Sequence, residues 1–148
     1  MTDKGTSSNY EIALKEALKK KPDFAKTFGL LNEALTAGDA RAAYALGTWY
    51  LHGTHVRKNR RKAVKLLKVA AEARISDALY DLAVCYEKGA GVKKDLKRAY
   101  ELYLFGALWG DDQSVYEVGR CLYYGIGTRQ DRQRSKVWYE RAGILGVK

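Results

Sequence analysis

The chain is 148 residues long, enough for one domain with a continuous core, and its single proline, Pro22, together with abundant Ala, Leu and Lys, favours helix over strand. Lys and Arg number 27 against 17 Asp and Glu, a net charge of +10 that attracts acidic proteins, nucleic acid or anionic lipid and leaves the fold open. Two cysteines are too few for a disulfide framework, no apolar run approaches the ~20 residues of a membrane span, and Met1-Thr2-Asp3-Lys4-Gly5 does not begin a signal peptide, so a protein of the reducing cytoplasm is expected.

Residues 1–7 are small and polar and read as a frayed tail. Ser8 and Glu11 have the spacing of a capping box, and Tyr10, Leu14, Ala17 and Leu18 then share one helix face. Lys19-Lys20-Lys21 place cations where a helix dipole favours them, at its carbonyl end. Pro22-Asp23 breaks the pattern and restarts it. Asp23, Leu31 and Ala34 each lie 36 residues before Asn59, Leu67 and Ala70, so residues 8–37 form a worn helix pair that has lost its glycine loop.

Beyond it a unit recurs every 36 residues: Gly53, Gly89 and Gly125 keep that spacing, as do Asn59, Asp95 and Asp131. A fixed period of this size marks a solenoid. Three units follow, 38–73, 74–109 and 110–145, with 146–148 as a tail. In the first, Asp39 caps a helix to about His52 with Ala42, Ala43, Leu46, Gly47, Trp49 and Tyr50 inward, and Asn59 caps a second carrying Ala63, Leu66, Leu67, Ala70 and Ala71. The next unit repeats this with Ala78, Leu79, Leu82, Ala83 and Tyr86, then Ala99, Leu102, Tyr103, Gly106 and Ala107. The last uses Val115, Val118, Gly119 and Leu122, then Val137, Trp138, Tyr139, Ala142 and Gly143. Gly53, Gly89 and Gly125 suit the left-handed residue that ends a helix. Small residues at Gly47, Ala83 and Gly119, and again at Ala70, Gly106 and Ala142, suggest that two small faces meet at a close helix contact.

The segments Asp77-Ala78-Leu79-Tyr80-Asp81-Leu82-Ala83 and Gly89-Ala90-Gly91-Val92-Lys93-Lys94-Asp95, with Ala99 and Gly106-Ala107, resemble the Sel1-like repeat family, relatives of the tetratricopeptide repeats. The tetratricopeptide pattern itself fits less well, because its period is about 34 and Ala43 stands where its tryptophan would be. The resemblance covers about Pro22 to Gly146. It implies an all-α fold, a right-handed superhelical solenoid of antiparallel helix pairs. First helices would line a concave face and second helices a convex one, in adaptors and scaffolds that act through protein contacts. His55 departs from the pattern at the second loop glycine, Thr128 at the valine and Ser135 at the alanine, so the third repeat is expected to be looser.

Chemistry is sparse. Cys85 and Cys121 are 36 apart, and equivalent points on stacked helix pairs lie about 10 Å apart, beyond the Cα spacing of less than ~7 Å that a disulfide needs. Two buried free thiols are expected. His52 and His55 form H-x-x-H, but two imidazoles fall short of four ligands, so a solvated loop pair and no metal are expected. Gly89-Ala90-Gly91 and Gly125-Ile126-Gly127 follow helices rather than strands, which removes a dinucleotide reading. No base stands beside a nucleophile in any recognisable frame, so neither catalysis nor a cofactor is expected.

Two surfaces remain. By analogy with the tetratricopeptide groove, Tyr44 and His52, Tyr80 and Lys88, and Tyr116, Arg120 and Tyr124, with Tyr123 nearby, would face a partner in the concave groove. The same tyrosines read equally as half-buried props for the helix stack. Arg57, Lys58, Arg60, Arg61, Lys62, Lys93, Arg98, Arg129 and Arg134 form a ridge along the turns and outer helices, either a polyanion-binding edge or a solvated convex face. The expected function is a non-enzymatic adaptor or scaffold binding a protein, an acidic one given the charge. The alternatives are an inhibitor that occludes one enzyme, as an immunity protein occludes a toxin, and a binder of nucleic acid or anionic lipid. The last helix is expected to expose apolar surface around Ile144 and Leu145, inviting self-association or a partner.

Overall fold

Capping chemistry lays the helices down one after another. The computed structural model describes residues 7–146, so the tails expected at 1–7 and 146–148 fall largely outside the described residues. Ser8 accepts from the Glu11 N–H while Glu11 accepts from the Ser8 N–H, closing the capping box that starts α1 (Asn9–Ala17). Asp23 caps α2 (Phe24–Thr36) and Asp39 caps α3 (Ala40–His52). Asn59 and Asp95 accept from Lys62 N–H and Arg98 N–H at the starts of α4 (Arg60–Glu72) and α6 (Leu96–Leu108). Asp111 and Asp131 do the same for α7 (Asp112–Tyr124) and α8 (Arg132–Ile144). Only α5 (Ser76–Lys88) begins without a side-chain cap, at Ile75.

The first helix of each repeat ends as expected, on left-handed Gly53, Gly89 and Gly125. The second helices end the same way, which the sequence did not suggest. Gly38, Gly110 and Gly146 follow α2, α6 and α8 with φ of 87°, 95° and 80°, and after α4 the place is taken by Arg74 at φ 63°.

Consecutive helices pack against one another in an all-α, right-handed solenoid of antiparallel pairs, and no strand occurs among the described residues. A single core runs through it, from Leu31 and Leu46 through Leu67, Leu82 and Tyr103 to Val118 and Cys121. Three expectations are corrected. Small faces do not meet small faces: a Cβ on Gly47 would lie 3.2 Å from Leu67, one on Gly119 3.0 Å from the Tyr139 ring, and one on Gly106 2.5 Å from Ser114 of the next pair. Gly47 and Gly119 are notches that receive larger side chains, while Gly106 leaves room for the Ser114 hydroxyl of the next pair. In α1 the buried residues are Ala13 and Glu16, while Leu14 and Leu18 are exposed. Glu16 turns inward because its carboxylate accepts the Asp23 N–H and pairs with Lys19 and Lys26, tying α1 to the start of α2. In α8 Val137 and Gly143 are exposed and only Ser135 and Ala142 are buried. Ser135, which stands where the other repeats have alanine, is buried, and its hydroxyl donates to the Gly119 carbonyl across the α7–α8 contact, 2.9 Å away.

The C-terminal apolar surface is present at Val137, Ile144 and Leu145, while Trp138 and Tyr139 are half-buried.

Candidate functional site

The first helices present Tyr44, Tyr80 and Tyr116 at matching positions on one side of the solenoid, all half-buried. Their rings support the second helices: Tyr80 lies 5.9 Å from Tyr103 and Tyr116 5.3 Å from Tyr139, centroid to centroid. Burial, reinforced by Asp81 and Asp77, raises the Tyr44 hydroxyl far above the ordinary tyrosine range. Burial also raises the Asp81 carboxyl, opposed by Tyr44 and by His52.

Between α5 and α7, Tyr80 borders a depression of about 350 Å³ that it lines with Val84, Lys88 and a polar network. Arg120 Nη2 donates to both carboxylate oxygens of Glu87, at 2.7 and 2.8 Å, and its Nε to Glu117 at 2.5 Å. The Tyr103 hydroxyl donates to Glu87 from below, 2.7 Å away. Burial works against the arginine's charge, and the bonds to Glu87 and Glu117 more than offset it. Arg120, expected as a free contact for an acidic partner, is therefore already flanked by two carboxylates. With Asp77, Asp81 and Asp111 on the same side, this face is aromatic and mixed in charge rather than basic. Glu87 and Glu117 escaped sequence reasoning, and Tyr103 is read there only as an inward residue, not as part of a polar network. The signal was there: Glu117 is three residues from Arg120, and Glu87 is 33 residues before it, one repeat less one helical turn.

Of the other groove residues, His52 and Lys88 are exposed at the last turns of α3 and α5. Tyr124 is 65% exposed, whereas Tyr123 is held against Tyr124, Tyr139 and the Arg132 guanidinium. The ridge residues Arg57, Lys58, Arg60, Arg61, Lys62, Lys93, Arg98, Arg129 and Arg134 are all exposed. Among the described residues only Arg98 of these has a carboxylate in reach, Glu101 at 3.7 Å. The ridge and the groove thus differ in chemistry as well as in place.

His52 and His55 do not share a ligand geometry with any third group among the described residues. His55 adopts φ 59° and lays its ring on Phe24, centroids 3.5 Å apart. It is an exposed loop residue, as expected, and one face of its ring also packs on the start of α2.

Cys85 and Cys121 are free and buried. Burial pushes their thiols up to about 11 and about 12, so neither is a nucleophile near neutrality. A raised folded pKa leaves the associated stability intact below the ordinary value of 9.0 and removes it as pH climbs toward the folded values. Iodoacetamide at pH 8 is expected to leave the native chain unlabelled and to add two carbamidomethyl groups once urea unfolds it. A mass increase on the native protein would show that the thiols are reached by local opening.

Comparison with known proteins gives one consistent picture. Residues 40–74, 76–108 and 113–147 match the Sel1 repeat model. A Sel1 repeat protein of Oxalobacter formigenes is similar at 33% identity over 80% of this chain and 89% of its own, with a TM-score of 0.72. A protective antigen present in uropathogenic Escherichia coli, with the same repeat fold, superposes over 93% of this chain at 26% identity and a TM-score of 0.89, and this chain spans only 30% of its length. Cysteine-rich protein B of Helicobacter pylori shares the fold at 24% identity and a TM-score of 0.63, over 80% of this chain and 90% of its own. Among curated protein sequences none matches. Sel1-repeat proteins are generally protein–protein interaction modules and typically non-enzymatic scaffolds. With three repeat matches that take in α3 to α8, the chain belongs to the Sel1 repeat family.

Proposed function

We propose that the chain is a non-enzymatic interaction module that holds a segment of another protein along α3, α5 and α7. The observation that carries this is the ordered network of Arg120, Glu87, Glu117 and Tyr103 beneath Tyr80. Polar groups already bonded in place need little ordering on association, and tyrosine supplies contact area at low entropic cost. Among the described residues Arg120 Nη1 has no hydrogen-bond acceptor, which leaves one edge of a fixed guanidinium for a partner's carbonyl or carboxylate. The net charge of +10 steers an acidic protein toward the molecule. Buried free thiols accord with a reducing compartment.

Affinity capture from native lysate, washed at rising salt, tests the reading. One protein retained at high salt near equal stoichiometry is expected, lost with Tyr80→Ala and Tyr116→Ala and kept when Arg57, Arg60, Arg61 and Lys62 become Gln. Nucleic acid alone, released steeply as salt rises, would overturn it and make the ridge the working surface.

A further inference from the structure

On the opposite side, successive second helices leave a row of grooves floored by the first helix between them. One depression of about 640 Å³ lies between α4 and α6, and another of about 400 Å³ lies between α6 and α8. They are the same place one repeat apart: Ala71, Leu79 and Leu102 in the first correspond to Ala107, Val115 and Trp138 in the second. Their rims differ. The first has an aromatic wall of Tyr86, Phe105 and Trp109, the last two half-exposed, beneath Lys68, Arg74 and Arg98, and Glu72 is its single carboxylate. The second is largely apolar, with Leu108, Val137 and Leu145 exposed, beside Arg141 and Asp112.

Arg74 is the telling residue. Its three counterparts in the fold are Gly38, Gly110 and Gly146, and it alone puts a side chain into that left-handed turn, at φ 63°. The conformation is one that L side chains adopt at a cost, and such strain gathers at functional positions. In return its guanidinium is carried 4.6 Å above the Trp109 ring, at the mouth of the groove. Lys68 stands 6.0 Å from the Tyr86 ring on the other side. The turn would be easier with glycine, so the arginine is explained by what it presents rather than by the fold.

We propose that this outer groove binds an acidic peptide segment of a partner protein. An apolar side chain of the segment enters between Phe105 and Trp109. Its flanking carboxylates meet Lys68, Arg74 and Arg98, and a second apolar side chain enters the neighbouring depression. Charge complementarity selects this occupant: Lys68, Arg74 and Arg98 line the groove against Glu72, with Glu101 paired to Arg98 at 3.7 Å, which leaves the rim net positive on a chain whose net charge is +10. The repeat spacing of about 10 Å sets the two anchors roughly three residues apart in an extended segment or about seven in a helix.

Fluorescence anisotropy with two labelled poly-glutamate peptides tests it, each carrying one Phe and one Leu, three residues apart in one and seven in the other. At least one is expected to bind, and its counterpart with Gln for Glu to bind about tenfold more weakly. Trp109→Ala and Arg74→Gly should each weaken binding about fivefold or more, with Arg74→Gly melting at or above the parent's temperature. Replacing Arg57, Arg60, Arg61 and Lys62 with Gln should cost less than Arg74→Gly. Failure of both peptides to bind at about millimolar concentration overturns the proposal. So do equal binding of the Gln peptide, unchanged affinity in Trp109→Ala and Arg74→Gly, or a lower melting temperature for Arg74→Gly. A single-stranded oligonucleotide that displaces the peptide and shares its sensitivity to both substitutions would make the groove a polyanion site. A dimer that Trp109→Ala dissolves would put a second copy there, and either result overturns it as well.

Discussion

Gly127→Ala is expected to lower the thermal midpoint by roughly 10 °C, the equivalent of about 3 kcal/mol in a chain of this size. Gly127 has φ 67°, and a Cβ there would run into the carbonyl oxygen of Leu96, the first residue of α6. That obstacle is backbone, held in a helix start, so it cannot swing aside as a side chain could. Gly91 meets the Arg60 carbonyl at the start of α4 in the same way, and Gly91→Ala should behave alike. His55 is the informative contrast. It occupies the equivalent position at φ 59° and lays its ring on Phe24 and edge-on to Trp49, so His55→Ala should lose only those ring contacts, about 1 kcal/mol. Calorimetry on the three variants separates the cases. A Gly127→Ala midpoint within about 2 °C of the parent would mean that the loop does not dock on α6 in solution.

Glu87→Ala should cost about 2 kcal/mol and reach further than its single site suggests. It leaves the half-buried Arg120 with Glu117 alone, and it orphans the hydroxyl of Tyr103, whose residue is only 1% exposed. Because the pair keeps some contact with water, the effect stays below that of a fully buried ion pair. Glu117→Ala should cost less, since Arg120 retains two bonds to Glu87. Adding Arg120→Met to Glu87→Ala should recover part of the loss by removing the stranded charge. Urea unfolding gives all four free energies. A Glu87→Ala change below about 0.5 kcal/mol, within the range of ordinary surface substitutions, would show the network to be loose.

What could be read beforehand was whatever depends on local chemistry at fixed offsets. Asn59, Asp95 and Asp131 announce helix starts, and Gly53, Gly89 and Gly125 announce helix ends, because each acts on backbone groups within a few residues of itself. What could not be read depends on how helices are staggered in space. Gly47 looks like a contact for another small residue until Leu67 is seen to fill it. Leu14 and Leu18 look buried until Lys19, Lys26 and the Asp23 amide draw Glu16 inward. Arg74 gave no sign of a left-handed turn, since only glycine or asparagine carries that signal in a sequence. The Glu87–Arg120 pair joins neighbouring repeats, so it becomes visible only when the 36-residue period is combined with the helical one.

The docking of each loop on the helix start of the preceding pair has a mechanical consequence. Units joined only to their neighbours share stability locally, so an end can breathe without loosening the middle. The ends are where the chain is thinly secured: α1 and α8 each bury two residues, while α4 and α5 bury five apiece. A partner seated along α4 and α6 therefore meets the more firmly packed middle of the solenoid, whereas one seated across α5 and α7 also feels the looseness of α8, on which α7 packs.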